Sequence, residues 1–364
     1  MFKHLIVCAG LDNVLRGYET HTRLLFTALR NDNINISLIK RTGVSNVNEV
    51  SLNTPFRYST LIKILSKIRG NNLYWESLIF ALALILRVNL KVKTILVIEP
   101  VVAKVLYKYF VYVRRYQRLF SLKIETPRLV YTHGVSREPN IYNQFCDFIH
   151  EVSEKNYSRL MMLNDRKPSI LIPHFLPSEI NLLGGLKIVE KSNLKILYVG
   201  VWCNTTKNVM FMVDEIYRSK HKWELSVLGK ISDHESYNKS KLVLGDRISN
   251  SIVDNSKIGA IMAQHDLLVM PSLNEGFGIV ILEAMKYRIP VVCHDNSHFR
   301  WVLNPNKDCF VNMTKEGALR YFLDHVYDES WRSNQIKMNW ITFNKRYTWN
   351  AVRKKYLSLL KDEV

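Results

Sequence analysis

A stretch in the C-terminal half of the chain combines carboxylates with glycines at a predicted strand-to-helix turn. Its residues of interest are Glu275, Gly276, Phe277, Gly278 and Glu283. An apolar strand should end at Met270 and a helix should begin near Ile279, so backbone N–H groups at the positive helix N-terminus would point into the crevice at the end of the sheet. Glycines let a ligand approach the main chain, because no Cβ stands in the way. This combination predicts a site for phosphate oxygens. Both carboxylates can face the cleft that holds it.

The two glutamates also have a purely structural interpretation. Glu275 can cap the helix, and Glu283 can be a solvated or salt-bridged helix residue. For two glutamates considered by themselves, this interpretation is the more common one.

The wider motif resembles a known enzyme family. Glu275-Gly276-Phe277-Gly278, then Glu283-Ala284-Met285, then Pro290-Val291-Val292 is similar to the E-x7-E signature of GT-B glycosyltransferases, specifically the large retaining family 4 type. The resemblance implies that Glu275 contacts the donor sugar, that Glu283 contacts the nucleotide ribose, and that the loop between them binds the donor. A carboxylate suits a ribose diol because it can accept two hydrogen bonds at once.

Three further residues match the family pattern, each with a structural alternative. Gly17 resembles the glycine loop that meets the donor diphosphate, although the usual double glycine is single here, and a turn glycine is the alternative. His133 closes a predicted strand and resembles the histidine that reaches the donor sugar near its anomeric centre, with a buried structural histidine as the alternative. Lys207 resembles the phosphate-binding lysine, with a solvated loop lysine as the alternative. The resemblance thus assigns His133 and Glu275 to catalysis and the remaining residues to donor binding.

Some positions depart from the family pattern. The family usually has arginine directly after the glycine that corresponds to Gly200, and this chain has Val201. One of two cations expected at the donor diphosphate is therefore missing, which bears on donor affinity and turnover. Arg288 and Arg300 stand where the family often has glycine and glutamate.

The elements that must position these residues follow from the apolar pattern. Short apolar runs are typical of buried parallel strands, and apolar residues at helical spacing follow several of them. This alternation predicts an α/β fold with two Rossmann-like domains facing a central cleft, which is the GT-B architecture that the resemblance implies. The predicted strands of the first half are Leu5–Gly10, Ile34–Lys40, Thr94–Pro100 and Arg128–Gly134, and the pattern restarts at Leu194.

Domain boundaries are predicted from a segment after Ile172 that carries two prolines and paired glycines. The predicted organisation is an N-terminal Rossmann-like acceptor-side domain (1–175), a linker (176–193), a C-terminal Rossmann-like nucleotide-sugar-binding domain (194–345) and a closing helix (346–364) that crosses back to the N-terminal domain.

Composition narrows the class of protein. The 364 residues are 47% hydrophobic and 23% charged, as in a globular protein. Five widely separated cysteines without a C-x-x-C pair fit neither a zinc site nor a disulfide framework, which favours reduced cytosolic thiols. The sequence has no D-x-D motif and no His/Cys cluster at metal spacing. We therefore expect no metal and no cofactor, with a nucleotide diphosphate sugar as co-substrate.

The chain is strongly basic, with 51 Lys and Arg against 32 Asp and Glu and a formal charge of +19. Residues 61–128 hold 13 of the basic residues and three acidic ones, so this stretch alone carries +10. Its basic residues interleave with aromatic and aliphatic ones, which suits an anionic membrane surface, while an ordinary solvated basic face is the alternative.

Together these observations predict a retaining hexosyltransferase that serves surface polysaccharide or lipopolysaccharide-type synthesis. Its acceptor would be a glycan or lipid-linked hydroxyl, and the protein would be cytoplasmic and peripheral on the inner face of a membrane. Two alternatives stay open. A DNA-modifying glycosyltransferase also suits the charge, although no base-reading motif is visible and we do not expect nucleic acid as a partner. The other is a non-catalytic GT-B subunit that binds a sugar nucleotide.

Overall fold

The computed structural model describes residues 3–12, 17–68, 71–120, 125–134, 140–178, 194–254 and 257–360. The chain forms two compact units, Met1–His174 with Val352–Val364, and Phe175–Ala351. Most of the predicted linker, residues 179–193, lies outside the described residues.

The N-terminal unit is built on a seven-stranded parallel sheet. Its strands are β1 (His4–Cys8), β2 (Ile36–Lys40), β3 (Glu49–Ser51), β4 (Thr94–Val97), β5 (Arg128–His133), β6 (Phe148–Glu151) and β7 (Ser169–Leu171), in the order β3-β2-β1-β4-β5-β6-β7. The residues of β1, β2 and β4 are buried throughout, which is why near-continuous apolar runs predicted them. The sequence analysis missed β3, β6 and β7, which are three or four residues long and contain polar residues.

Some helices of this unit form a layer that packs on one side of the sheet. The helices are α1 (Gly17–Asn31), α2 (Thr60–Ile68), α3 (Asn72–Arg87), α4 (Pro100–Phe120), α5 (Asn140–Asn143) and α6 (Glu154–Met161). Phe80 and Leu84 of α3 share one core with Leu106 and Phe110 of α4. In the part of the chain that the structure describes, no helix has both the length and the apolar character needed to cross a membrane.

The C-terminal unit has a six-stranded parallel sheet, so the predicted α/β class with two parallel sheets is confirmed. Its strands are β8 (Leu194–Val199), β9 (Trp223–Leu228), β10 (Ile248–Ser251), β11 (Leu267–Met270), β12 (Val291–His294) and β13 (Phe310–Val311), in the order β10-β9-β8-β11-β12-β13. Its helices are α7 (Asn204–Lys207), α8 (Val209–Tyr217), α9 (His234–Leu244), α10 (Ile258–Met262), α11 (Ile279–Lys286), α12 (Ser297–Leu303), α13 (Ala318–Tyr321) and α14 (Glu329–Arg346).

The last helix, α15 (Trp349–Leu360), begins three residues after α14 ends. Trp349 packs against Phe175 in the C-terminal unit, with ring centroids 5.1 Å apart. From Val352 onward the helix belongs to the N-terminal unit, where buried Tyr356 places its hydroxyl 3.4 Å from Nε2 of His21. Both aromatic residues of this helix are packing residues.

Two glycines lie at the ends of neighbouring strands in the C-terminal sheet. Gly200 follows β8 and Gly229 follows β9, and both have φ near +150°. A Cβ on Gly229 would lie 2.1 Å from the Gly200 carbonyl oxygen, so only glycine fits at this position. The close approach fixes the loop that leads to Lys207.

Candidate functional site

Lys207 and Glu275 form an ion pair in the C-terminal unit. Lys207 is the last residue of α7, and Glu275 lies in the loop between β11 and α11, 68 residues further along the chain. Their side chains are only 25% and 14% exposed. The structure therefore brings together two residues that the sequence analysis identified separately.

The loop that carries Glu275 is fixed by the contacts of Phe277. The carbonyl of Phe277 accepts a hydrogen bond from His298 Nε2 at 3.0 Å, and the ring of Phe277 is buried against His298, Trp301 and Tyr347. Phe277 is thus a core anchor, and any donor contact at this residue falls to its backbone. Donor binding by Phe277 stays a prediction.

The N-terminus of α11 follows this loop without a side-chain cap. Gly278 is the N-cap residue, with φ of +83°, a left-handed conformation that favours glycine. Because glycine offers no side chain, no N-cap side chain occupies the first amides of the helix. A helix N-terminus of this kind attracts anionic groups.

Glu283 lies one turn into α11 and differs from Glu275 in its surroundings. Burial raises the pKa of its carboxyl to about 7, and the Lys286 ammonium opposes that shift. Its carboxylate makes no hydrogen bond or ion pair with any residue that the structure describes. Both of its oxygens are therefore available to hydroxyl groups of a ligand.

Val201 stands beside the Lys207 site, at the end of β8. Its side chain is 46% exposed, so the position has room for a longer residue. The other two departures have structural roles. Arg288 adopts φ of +59° and stacks over Trp340 at 4.8 Å, and Arg300 pairs with Asp295 at 2.6 Å.

His133 and Gly17 lie in the N-terminal unit. His133 ends β5, and its Nδ1 lies 2.8 Å from one carboxylate oxygen of Glu151 and 3.0 Å from the other. Burial raises the pKa of Glu151, and the hydrogen bond from His133 opposes that shift. The sequence analysis missed Glu151 because it did not predict β6.

Gly17 begins α1, while Arg16 before it lies outside the described residues. The amides after β1 have a different partner: Ala9 N–H and Gly10 N–H donate to Glu99 Oε1 at 2.7 and 3.2 Å. Glu99 was not predicted either, and burial raises its pKa to about 7. A diphosphate contact of Gly17 stays a prediction.

Within the described ranges, no three His, Cys, Asp or Glu side chains are grouped as metal ligands would be.

Comparison with known proteins identifies the C-terminal unit. Residues 193–325 match the family model of the glycosyl transferases group 1. This segment is a glycosyltransferase domain. It contains Lys207, Glu275 and Glu283, so the three residues belong to the part of the chain that the family model covers.

Solved structures show the fold of the whole chain. Sucrose-phosphate synthase from Thermosynechococcus elongatus superposes with a TM-score of 0.74 at 16% identity, over 99% of this chain and 98% of that one. Anabaena HepE, in complex with UDP and glucose, gives a TM-score of 0.70 at 14% identity, and the lipopolysaccharide outer core galactosyltransferase WaaB gives 0.65 at 15%, each over 99% of both chains. These neighbours are glycosyltransferases of the GT-B fold, and the predicted fold is confirmed.

A Klebsiella pneumoniae protein, described as an uncharacterized 41.2 kDa protein in cps region, is 29% identical over 108 residues. The match spans 29% of this chain and 29% of the length of that relative.

Proposed function

We propose that the protein is a retaining glycosyltransferase of the family 4 type that moves a hexose from a nucleotide diphosphate sugar to a glycan or lipid-linked hydroxyl. The observation that carries the proposal lies in the glycosyltransferase domain. Lys207 pairs with Glu275 in the loop that leads into α11, the N-terminus of α11 has no side-chain cap, and the carboxylate of Glu283 one turn into the same helix has no described partner.

Each group has a role that suits its chemistry. The Lys207 ammonium and the N-terminus of α11 offset the negative charge that develops on the departing diphosphate. Lys207 exchanges its partner Glu275 for a phosphate oxygen, and Glu275 then accepts hydrogen bonds from hydroxyls of the sugar. Glu283 accepts two hydrogen bonds from the ribose diol. In this account the cations of the protein neutralise the diphosphate, and no metal takes part.

The resemblance implies front-face attack, in which the leaving diphosphate helps to deprotonate the acceptor hydroxyl. No protein nucleophile is then needed, and the anomeric configuration is retained. The neighbours support a nucleotide sugar as the donor, because HepE is known in complex with UDP and with UDP-glucose and WaaB is a galactosyltransferase.

A thermal-shift panel of nucleotide sugars tests the proposed donor class. A specific donor stabilises the fold by RT ln(1 + [L]/Kd), about 2.7 kcal/mol at one hundred times Kd. We expect one nucleotide sugar to raise the melting temperature of the wild type and to lose that effect with Lys207→Met. A wild type that no nucleotide sugar stabilises would contradict the proposal.

The second half of α4 supports a lipid-linked acceptor. The buried residues of α4 all lie between Val102 and Phe110. The helix continues for ten more residues, none of them buried, and Tyr112 and Phe120 are 67% and 58% exposed. Tyr116 and Phe120 pack ring to ring at 4.4 Å on this surface. Exposed apolar patches of this kind mark interaction sites, and aromatic side chains with a polar end suit the membrane interface.

Basic residues accompany this apolar surface. Lys104, Lys108, Arg115 and Arg118 of α4 are exposed, and α2 adds exposed Leu61, Ile64 and Ile68 with Lys63 and Lys67. Since α2 packs on α3 and α3 packs on α4, these residues belong to one helical layer. We therefore propose that the face formed by exposed residues of 61–128 binds an anionic membrane surface.

One arginine of this segment has another role. Arg114 pairs with Asp147 at 2.9 Å and donates to Thr126 Oγ1 at 2.8 Å, so it ties α4 to the strands beside it. Arg114 belongs to the basic stretch 61–128, but these contacts leave it out of the headgroup-binding face that we propose.

A further inference from the structure

His133 and Glu151 are register partners on neighbouring strands. His133 is the last residue of β5, Glu151 is the last residue of β6, and the two face each other in the parallel ladder. Facing residues of adjacent parallel strands project from the same side of the sheet. The side chains are each about 1% exposed and meet at 2.8 Å. The contact is therefore built into the sheet rather than into a loop.

The contact determines which ring nitrogen of His133 carries hydrogen. A carboxylate only accepts hydrogen bonds, so Nδ1 is the donor and the neutral ring has its lone pair at Nε2. Nε2 is buried and has no hydrogen-bond partner among the residues that the structure describes. A buried polar atom without a partner is rare in native proteins and calls for an explanation.

A second atom of the same kind lies near this pair. The ring of Tyr18 packs against Gly134, where a Cβ would fall 1.0 Å from the Tyr18 hydroxyl oxygen. That hydroxyl is also buried without a described hydrogen-bond partner. Burial and then the charge of Glu151 raise the pKa of Tyr18, which places the phenol within electrostatic range of the pair. The Nε2 atom of His133 and the hydroxyl of Tyr18, two buried polar groups without a described partner, thus both lie near the end of β5.

We propose that Glu151 is a positioning residue that fixes the tautomer of His133, so that Nε2 accepts a hydrogen bond from a hydroxyl of the donor hexose. This inference rests on the proposed function and on the family resemblance, which implies that His133 reaches the donor sugar. Without Glu151 either nitrogen can carry the hydrogen, and an Nε2–H would meet the hydroxyl as a donor instead.

The same two strands supply a matched control. One residue earlier, Thr132 Oγ1 lies 3.1 Å from His150 Nδ1, and both side chains are buried. Because side chains alternate along a strand, this pair lies on the opposite side of the sheet. Thr132→Val removes a buried hydrogen bond between β5 and β6 without touching His133, so it reproduces the structural loss alone.

Nitrogen NMR of the full chain labelled with 15N-histidine tests the tautomer without any substrate. Long-range proton–nitrogen correlations show which ring nitrogen carries hydrogen, and loss of the signal in His133→Gln assigns it. We expect the Nδ1–H tautomer in the wild type and in Thr132→Val, and its loss in Glu151→Leu. An Nε2–H tautomer in the wild type, or an unchanged tautomer in Glu151→Leu, would overturn the inference.

Turnover of UDP-glucose tests the consequence for the reaction. We expect Glu151→Leu to lower kcat on the order of tenfold with little change in donor KM, the lower end of the loss seen when the hydrogen-bond partner of a metal-ligating histidine is removed. Glu151→Gln keeps an oxygen that accepts from Nδ1–H and should recover part of that loss. Equal kcat in Glu151→Leu and Thr132→Val would overturn the inference. A wild type that neither binds nor turns over UDP-glucose counts against that donor, and the NMR result still decides the role of Glu151.

Discussion

Lys207 donates directly to Glu275, so the cation that we assign to the donor diphosphate and the carboxylate that we assign to the donor sugar are in contact. Residues in one ion pair do not act independently, and removing one changes the environment of the other. Donor binding and turnover should therefore depend on both residues together.

Variants of this pair test the assigned roles. Lys207→Met should weaken donor binding by about 1.5–3 kcal/mol, the loss expected for a hydrogen bond to a charged group. Glu275→Ala should lower kcat more than donor affinity, because its proposed contact is at the reacting sugar. Steady-state kinetics of both single variants and the double variant should show non-additive effects. Strict additivity together with full turnover in Glu275→Ala would contradict these roles.

We expect donor affinity to depend on pH through Glu283. Since burial raises its pKa to about 7, the carboxyl is protonated below that pH and must lose a proton before it accepts two hydrogen bonds from a ribose. Donor affinity should rise between pH 6 and pH 8 in the wild type. Glu283→Ala should bind the donor about 1–3 kcal/mol more weakly, without this rise.

The contribution of Glu283 to the folding stability of the protein depends on pH in the opposite sense. The unfolded carboxyl ionises near pH 4.5 and the folded one near pH 7, so ionisation opposes folding as pH rises through this window. Urea unfolding should therefore find Glu283→Gln more stable than the wild type at pH 8 and not at pH 4. Loss of stability at pH 8 would show that Glu283 holds the fold together instead of binding a ligand.

The fold could be predicted well from the sequence, for physical reasons. Continuous apolar strands such as β1 and β4 are buried throughout, and the glycine before α11 adopts the left-handed conformation from which the helix begins. The contact between Lys207 and Glu275 could not be predicted, because it depends on how loops 68 residues apart meet.

The His133–Glu151 pair shows where sequence patterns fail. Strand β6 has the sequence FIHE, whose two polar residues break the apolar run. A buried histidine and a buried glutamate satisfy each other only through strand register, which no local pattern reveals. Arg114 shows the same limit, since its partner Asp147 is 33 residues away.

Val201→Arg tests the significance of the missing cation. The exposed position at the end of β8 can hold a longer side chain, and a guanidinium there would offer a second charge to the diphosphate. We expect donor binding up to about tenfold tighter, within the range for a partly exposed charged hydrogen bond. Val201→Gln, which has no charge, is the control. Equal affinity in both variants would place the diphosphate away from this loop.

Charge reversal of the basic helical face separates a lipid partner from nucleic acid. Reversing Lys104, Lys108, Arg115 and Arg118 to Glu should release the protein from anionic vesicles, at about 1 kcal/mol per charge near the surface. Transfer to a short soluble acceptor should be spared. The matched control reverses four exposed lysines of the C-terminal unit, Lys222, Lys241, Lys315 and Lys337. If the wild type ignores anionic vesicles but binds duplex DNA with a steep dependence on salt, the DNA-modifying alternative replaces the lipid assignment.

The anomeric configuration of the product is the most direct test of the account as a whole. The product is made with the donor found in the thermal-shift panel. Proton NMR of this product reports the anomeric configuration of the transferred sugar. If Lys207, Glu275 and Glu283 hold the donor for front-face attack, the transferred sugar should have the same anomeric configuration in the product as in the donor. An inverted anomer would contradict the retaining mechanism and with it the roles that we assign to these residues.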